Sequence, residues 1–132
     1  MVKKVDHIGI AVKNLDEQIK YYTEVLGIEC AGIEEIAEQK VRVAMFPLEE
    51  VRIELLEPMS DDSPIARFIE KKGPGIHHIA YEVNDLGDIL KRLQERNIRL
   101  INQEPVVGAG GHKIAFLHPK STFSVLTELC EH

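Results

Sequence analysis

The sequence contains few of the residues and segments that define several protein classes, and each shortage excludes one class. Only two of its 132 residues are cysteines, Cys30 and Cys130, and they lack the spacing of a zinc or redox site. We therefore expect two free thiols. No apolar run reaches the roughly 18 residues that a membrane-spanning helix requires. We also expect no signal peptide, because a strand pattern begins directly at the first residues. We predict a cytoplasmic protein without a membrane partner.

Basic residues are also in the minority. The chain has 16 lysines and arginines against 22 acidic residues, which gives a formal net charge of −6. No basic stripe or RNA-binding aromatic motif is present, so we expect no nucleic-acid partner. An anionic small molecule remains compatible with this charge, because a local cationic pocket can exist on an acidic protein.

The sequence does contain an internal repeat. The octapeptides VDHIGIAV and IHHIAYEV begin the two halves and place His7 and His78 at a separation of 71 residues. Leu15 and Leu86 follow at the same separation. A repeat of this length predicts two copies of one structural module.

Each half also carries one glutamate near its end. Glu54 lies in VRIELLEP and Glu128 lies in FSVLTELCE. A single histidine or glutamate on a strand is more often a structural or solvated group. Their recurrence in register instead favours a metal site, because two imidazoles and two carboxylates are a suitable ligand set for a divalent transition metal.

Hydrophobic periodicity predicts the order strand, helix, strand, strand, strand in each half. The expected fold class is α+β, with two tandem βαβββ modules that form a curved mixed sheet around a metal-binding cleft. We expect one domain over residues 1–132, with module 1 at about 1–58, a linker at about 59–75 and module 2 at about 76–132. In module 2 the pattern predicts strands over 76–83, 98–103, 114–118 and 123–129 and a helix over 86–97.

Alternation along the strands separates the candidate ligands from the bulky apolar side chains. His7 shares its face with Gly9 and Ala11, whereas Glu54 lies opposite Ile53. The apolar face of each strand can therefore pack on a helix while the candidate ligand points to the other side.

The paired units DHIGIAV…IELLEP and HHIAYEV…LTELCE resemble the vicinal oxygen chelate superfamily, which includes glyoxalase I, extradiol dioxygenases and fosfomycin-resistance proteins. The segments YYTEVLG, SPIARFIEKKGPGIHHIAYEV and EPVVGAGGHKIAFLHPKSTFSVLTEL most resemble the methylmalonyl-CoA epimerase family, over essentially the whole chain. The resemblance implies an isomerase that interconverts the C2 epimers of methylmalonyl-CoA through a metal-stabilised thioester enolate. We expect an acyl-CoA substrate and a homodimer.

The resemblance places the metal ligands at His7, Glu54, His78 and Glu128. We expect Co²⁺, with Mn²⁺, Ni²⁺ and Zn²⁺ as alternatives. Some epimerases use a further glutamate on the strand before the hairpin, but that strand reads VRVAMF in this chain and has no carboxylate. We therefore expect Glu54 and Glu128 to be the catalytic acid/base groups as well as ligands.

A glycine-rich loop in the second half can bring backbone N–H groups close to an anion. The candidate substrate-binding residues there are Gly110, Gly111, Lys113, Lys120 and Ser121. The lysines are candidates for binding a carboxylate or CoA phosphates, and an equally good interpretation is that they are solvated turn residues. The loop does not have the strand–turn–helix context of a dinucleotide-binding fingerprint.

Three alternative functions are compatible with the same fold. The first is a glyoxalase I-type lactoylglutathione lyase, and the second is a non-catalytic ligand-binding or resistance protein. The third is an iron dioxygenase, because His7, His78 and Glu128 alone would form a two-histidine, one-carboxylate set.

Overall fold

The computed structural model describes all 132 residues, which divide into two compact units. The N-terminal unit is His7–His77, and the C-terminal unit combines Met1–Asp6 with His78–His132. The strands are β1 (Val2–Ala11), β2 (Gly32–Ile36), β3 (Val41–Leu48), β4 (Val51–Pro58), β5 (Gly75–Val83), β6 (Val106–Val107), β7 (Lys113–Leu117) and β8 (Thr127–Glu131). The α-helices are α1 (Leu15–Lys20), α2 (Pro64–Lys72) and α3 (Leu86–Glu95).

The strands of the N-terminal unit follow the order β2-β3-β4-β1. β1 is parallel to β4, and the other two pairs are antiparallel. The parallel register places His7 beside Arg52 and Gly9 beside Glu54. On the other edge of β4, Met45 of β3 is the antiparallel register partner of Glu54. The candidate ligands of this module thus lie on adjacent strands.

Two apolar clusters support this sheet. Residues of α1 and the strands bury Leu15, Phe46 and Leu55 completely. α1 begins after Asn14, whose side chain accepts the N–H of Glu17 at 3.1 Å and so caps the helix. α2 contributes a second cluster, which contains Ala11, Val41, Val43, Leu56 and Ile65.

The C-terminal unit repeats this arrangement with the order β5-β8-β7-β6. β5 is parallel to β8, and the remaining pairs are antiparallel. Its main core packs α3 on the sheet through Val83, Leu86, Ile89, Leu90, Ala115, Leu117 and Leu129. The predicted α+β class with two βαβββ modules and mixed strand pairing is confirmed.

Two strand predictions in the second half are wrong. Residues 98–103 form no strand and contain only an isolated bridge, between Leu100 and Leu117. The side chain of Asn102 accepts the N–H of Phe116 at 2.8 Å in place of a strand carbonyl. The last strand begins at Thr127 instead of residue 123. Residues 123 and 124 both have positive φ, 56° and 75°, which interrupts an extended chain.

α1 continues as a π-helical turn over Tyr21–Val25, and Gly27 follows with φ 71°. The helical spacing of Ile19, Tyr22, Val25 and Leu26 in the sequence predicts one buried stripe. This prediction is wrong for Val25 and Leu26, which are 69% and 48% exposed. Tyr22 does pack against the ring of Phe46, at a centroid distance of 5.1 Å.

α2 lies within the segment predicted as the linker, and it packs on β4 of the N-terminal unit. That the two units make one domain stays a prediction. No helix is both long and apolar enough to cross a membrane. The cytoplasmic location stays a prediction as well.

Candidate metal centre

The N-terminal unit contains one buried imidazole–carboxylate pair. Nε2 of His7 lies 3.6 Å from Oε1 of Glu54, and the two residues are only 4% and 3% exposed. Because β1 and β4 are parallel neighbours, His7 and Glu54 project from adjacent strands onto the same face.

Arg52 joins this pair and was not anticipated from the sequence. Its Nε and one terminal nitrogen each lie 2.9 Å from Oε2 of Glu54. The same terminal nitrogen is 3.3 Å from Nδ1 of His7. Arg52 and Glu54 are two residues apart on β4 and therefore share a face of the strand. This spacing is the sequence signal that could have identified the contact between Arg52 and Glu54.

The C-terminal unit contains the equivalent pair. Nε2 of His78 lies 3.2 Å from Oε1 of Glu128, and both residues are 4% exposed. The ring of Phe116 meets the ring of His78 edge-on, with centroids 5.4 Å apart. Ala80, the register partner of Glu128, is fully buried and adds little bulk beside the pair.

Within each pair, the separation suits two ligands of one ion. Donors that lie about 2.0–2.2 Å from a tetrahedral metal are roughly 3.3–3.5 Å from each other. The observed nitrogen–oxygen distances of 3.6 and 3.2 Å lie close to this value. Each module therefore holds two candidate ligand atoms at a separation that suits one ion. The metal-ligand and catalytic roles of these four residues stay predictions.

A second pair of glutamates repeats in the same way and was also missed. Oε2 of Glu57 accepts the N–H of Leu15 at 2.8 Å, and Oε1 of Glu131 accepts the N–H of Leu86 at 2.6 Å. Leu15 and Leu86 are the first residues of α1 and α3, where the helix dipole favours a carboxylate. In each unit, the strand that carries the candidate ligand is thus tied to the start of a helix. The motif E-x-x-E in ELLE and ELCE was the available signal.

The histidines without an expected metal role have structural contacts. The ring of His77 lies edge-on to Phe68 at 4.9 Å. Nε2 of His132 lies 2.8 Å from Oδ1 of Asp6, so His132 is tied to β1.

The glycine-rich loop turns tightly before β7. Gly110 and Gly111 have φ of 71° and 76°, which glycine adopts without strain. A Cβ at Gly108 would lie 2.9 Å from the side chain of Ile114, so the loop also packs closely on β7. Lys113 is the first residue of β7 and is exposed.

Lys120 and Ser121 lie on a short 3₁₀ turn, Pro119–Ser121. Oγ of Ser121 accepts the N–H of Arg99 at 2.8 Å, and Nδ1 of His118 accepts the N–H of Lys120 at 3.1 Å. The pKa of His118 is lowered from 6.5, first by desolvation and then by the charges of Arg99 and Lys120. This corner is therefore locally cationic, and Arg99 is a further candidate for anion binding.

β3 carries no carboxylate, as the sequence predicts. The 3₁₀ turn Ala37–Gln39 comes shortly before it, however, and contains the exposed Glu38. A carboxylate therefore stands just ahead of the hairpin, although not on the strand itself.

Comparison with known proteins identifies the class to which this fold and these residues belong. The family model described as glyoxalase/bleomycin resistance protein/dioxygenase superfamily matches residues 6–116. The chain belongs to this superfamily.

Individual relatives narrow the resemblance. The chain is 42% identical over 132 residues to the mitochondrial methylmalonyl-CoA epimerase of Dictyostelium discoideum, with 98% of this chain and 79% of that protein covered. It is 39% identical over 131 residues to the ethylmalonyl-CoA/methylmalonyl-CoA epimerase of Cereibacter sphaeroides, with 98% of both covered.

A solved structure agrees with these relatives. A methylmalonyl-CoA epimerase in complex with methylmalonyl-CoA and NH₄⁺ matches with a TM-score of 0.96 at 35% identity. The match covers 99% of this chain and 95% of that one. The comparisons thus support an epimerase.

Proposed function

We propose that this protein catalyses the metal-dependent epimerisation of methylmalonyl-CoA at C2. The main support is the buried imidazole–carboxylate pair that occurs once in each unit, together with the epimerase relatives. Since the Cereibacter relative is also named for ethylmalonyl-CoA, a slightly larger acyl group is a second substrate to test.

His7, Glu54, His78 and Glu128 together would hold one divalent metal ion, and we expect Co²⁺ before Mn²⁺, Ni²⁺ or Zn²⁺. The donor chemistry fits, because two imidazoles and two carboxylates suit such ions and leave positions for other oxygens. The metal would supply Lewis-acid stabilisation of negative charge on the thioester oxygen.

Epimerisation requires a proton to be removed from one face of C2 and another to be delivered to the opposite face. Glu54 and Glu128 occupy equivalent positions in the two repeats, so they are suited to approach a substrate from opposite sides. In this scheme the oxygen of each carboxylate that faces the imidazole would accept or donate one proton when it is not bound to the metal, and such groups typically contribute about 10² to 10⁴ in rate.

The rest of the substrate would be held by the second half of the chain. Backbone N–H groups at Gly110 and Gly111 and the side chains of Lys113, Lys120 and Ser121 are the proposed contacts. Arg99 adds a charge beside Lys120, as the lowered pKa of His118 indicates. We expect this cationic corner to bind phosphate groups of CoA. The homodimer stays a prediction.

A glyoxalase I-type reaction is the main alternative, because it uses proton transfers on a related thioester-forming substrate. A ligand-binding protein without chemistry is the other, but such a protein has no need for two buried imidazole–carboxylate pairs. The names of the epimerase relatives, which match 98% of this chain, favour the first proposal over both.

Incubation of the Co²⁺-loaded protein with (2R)- or (2S)-methylmalonyl-CoA in D₂O tests the proposal directly. We expect deuterium at C2 and formation of the opposite epimer, each dependent on metal. The hemithioacetal of glutathione and methylglyoxal, assayed in parallel, should not be converted. Conversion of that hemithioacetal without any exchange into methylmalonyl-CoA would overturn the proposal.

A further inference from the structure

We propose that Arg52 is a positioning residue that holds Glu54 as a one-oxygen metal ligand and supplies the positive charge that an anionic substrate needs. This inference rests on the proposed metal site and deepens it. The supporting observation is that Arg52 lies between a candidate histidine ligand and a candidate carboxylate ligand of the same unit.

The guanidinium divides the two oxygens of Glu54 between two tasks. Two nitrogens of Arg52 bind Oε2, each at 2.9 Å. Oε1 is the oxygen that faces Nε2 of His7, at 3.6 Å. Because Oε2 is occupied by a charge-assisted contact, a metal would meet Oε1 alone. Arg52 thereby fixes both the orientation and the number of oxygens that Glu54 offers.

Burial makes this contact different from an ordinary surface ion pair. The side chain of Glu54 is only 4% exposed, and that of Arg52 is 23% exposed. A carboxylate taken out of water needs a partner, and Arg52 provides one whether or not a metal is bound. The same terminal nitrogen lies 3.3 Å from Nδ1 of His7. Nδ1 can accept a hydrogen bond there only while it carries no proton, which is not the tautomer that would bind a metal through Nε2.

Charge balance gives Arg52 a second role. A divalent ion with two neutral imidazoles and two carboxylates has no net charge. Methylmalonyl-CoA would bring a carboxylate, and its enolate would add a second negative charge in the same place. With the metal bound and before substrate enters, Arg52 would raise the net charge of the site from 0 to +1. This positive charge would stabilise the negative charge that develops on the enolate.

The test uses Arg52→Met, Arg52→Lys, Glu54→Gln and the double variant Arg52→Met/Glu54→Gln. Metal affinity is measured by competition with a chromophoric chelator, which does not depend on activity. We expect Arg52→Met to weaken Co²⁺ binding about 10- to 100-fold, the usual effect of losing a residue that orients a metal ligand. In the Glu54→Gln background the same change should have little effect, because a neutral amide needs no counter-charge.

Arg52→Lys separates position from charge. Lysine keeps the positive charge but loses the planar fork. Relative to Arg52→Met, we therefore expect Arg52→Lys to restore more of kcat/KM, corrected for metal occupancy, than of the Co²⁺ affinity. Arg42→Met is the matched control, because Arg42 lies on the neighbouring strand and pairs with Glu57 at 3.0 Å instead. It should leave the Co²⁺ affinity unchanged.

Two outcomes would overturn the inference. One is an Arg52→Met protein with the Co²⁺ affinity and KM of the unsubstituted protein. The other is an equal loss of affinity with and without Glu54→Gln, which would mean that Arg52 does not act through Glu54. Thermal unfolding of each variant identifies a loss that comes from misfolding. If Arg52→Met weakens Co²⁺ binding only when Glu54 is present, but methylmalonyl-CoA is not turned over, the proposed function fails and the positioning role stands.

Discussion

Replacing Glu57 with alanine tests the link between a ligand-bearing strand and its helix. The change removes the acceptor of the Leu15 N–H at 2.8 Å and the partner of Arg42 at 3.0 Å. Leu15 is fully buried, so its N–H would lose its acceptor in a place that water reaches poorly. Such a loss costs about 1–3 kcal/mol, and the favourable charge at the helix start adds about 0.3–1 kcal/mol.

The partly exposed ion pair with Arg42 adds little, since solvent-accessible pairs contribute about 0–1 kcal/mol. We therefore expect Glu57→Ala to lower the free energy of unfolding by about 2–3 kcal/mol. For a chain of this size, roughly 3–4 °C of Tm is lost per kcal/mol. The expected fall in Tm is thus about 6–12 °C. Glu57→Gln keeps an acceptor oxygen and should lose only about 1 kcal/mol.

Urea unfolding followed by circular dichroism measures the difference, with Tm as a second readout. Glu24→Ala is the control, because Glu24 lies exposed on the π-helical turn, where substitutions usually change stability by less than about 0.5 kcal/mol. Glu131→Ala should reproduce the loss in the other unit through Leu86. The reasoning is refuted if Glu57→Ala is as stable as Glu24→Ala, or if Arg42→Ala alone costs as much as Glu57→Ala.

Four further predictions concern the site. If Glu54 is a base, Glu54→Gln should keep substrate binding and most of the metal but lower kcat about 10²-fold or more. A near-normal kcat would show that Glu54 is not the base, and Glu38 would be the next residue to test. Chelation should abolish turnover and Co²⁺ should restore it, whereas His78→Ala should lose most of the metal in an elemental assay; full activity of a metal-free sample would contradict both. The imidazole of His118 should show a pKa below 6.5 in an NMR titration. Because this pKa is lower in the folded than in the unfolded protein, the free energy of unfolding should decrease as pH falls from 6.5 toward the folded pKa. CoA should raise this pKa, and no change on adding CoA would argue against phosphate binding there. Gly108→Ala should raise KM through the contact with Ile114, while Gly87→Ala, with nothing within 4 Å of the added Cβ, should leave KM unchanged.

The repeat made the two imidazole–carboxylate pairs predictable, because each copy places a histidine on its first strand and a glutamate on its last strand. Arg52 was not predictable in the same way. Its contact with His7 depends on the parallel register between β1 and β4, which brings together residues 45 positions apart. No local pattern encodes that register.

The wrong strand boundaries have a different origin. The segment 98–103 has the composition of a strand, but the side chain of Asn102 takes over a hydrogen bond that the strand backbone would have made. Phe123 and Ser124 adopt positive φ although neither is glycine. Both features are set by tertiary context, which overrides local propensity.

The division of β1 between the units has a consequence for separating the repeats. Residues 2–6 of this strand belong with the C-terminal unit, while residues 7–11 belong with the N-terminal unit. Cutting the chain in the turn around residues 60–63 would detach Met1–Asp6 from the unit that contains His78 and Glu128. Neither fragment would then hold a complete unit, although each would hold a complete repeat. The repeat that is visible in the sequence therefore does not coincide with the compact units, and we expect the two fragments to regain structure only when they are mixed.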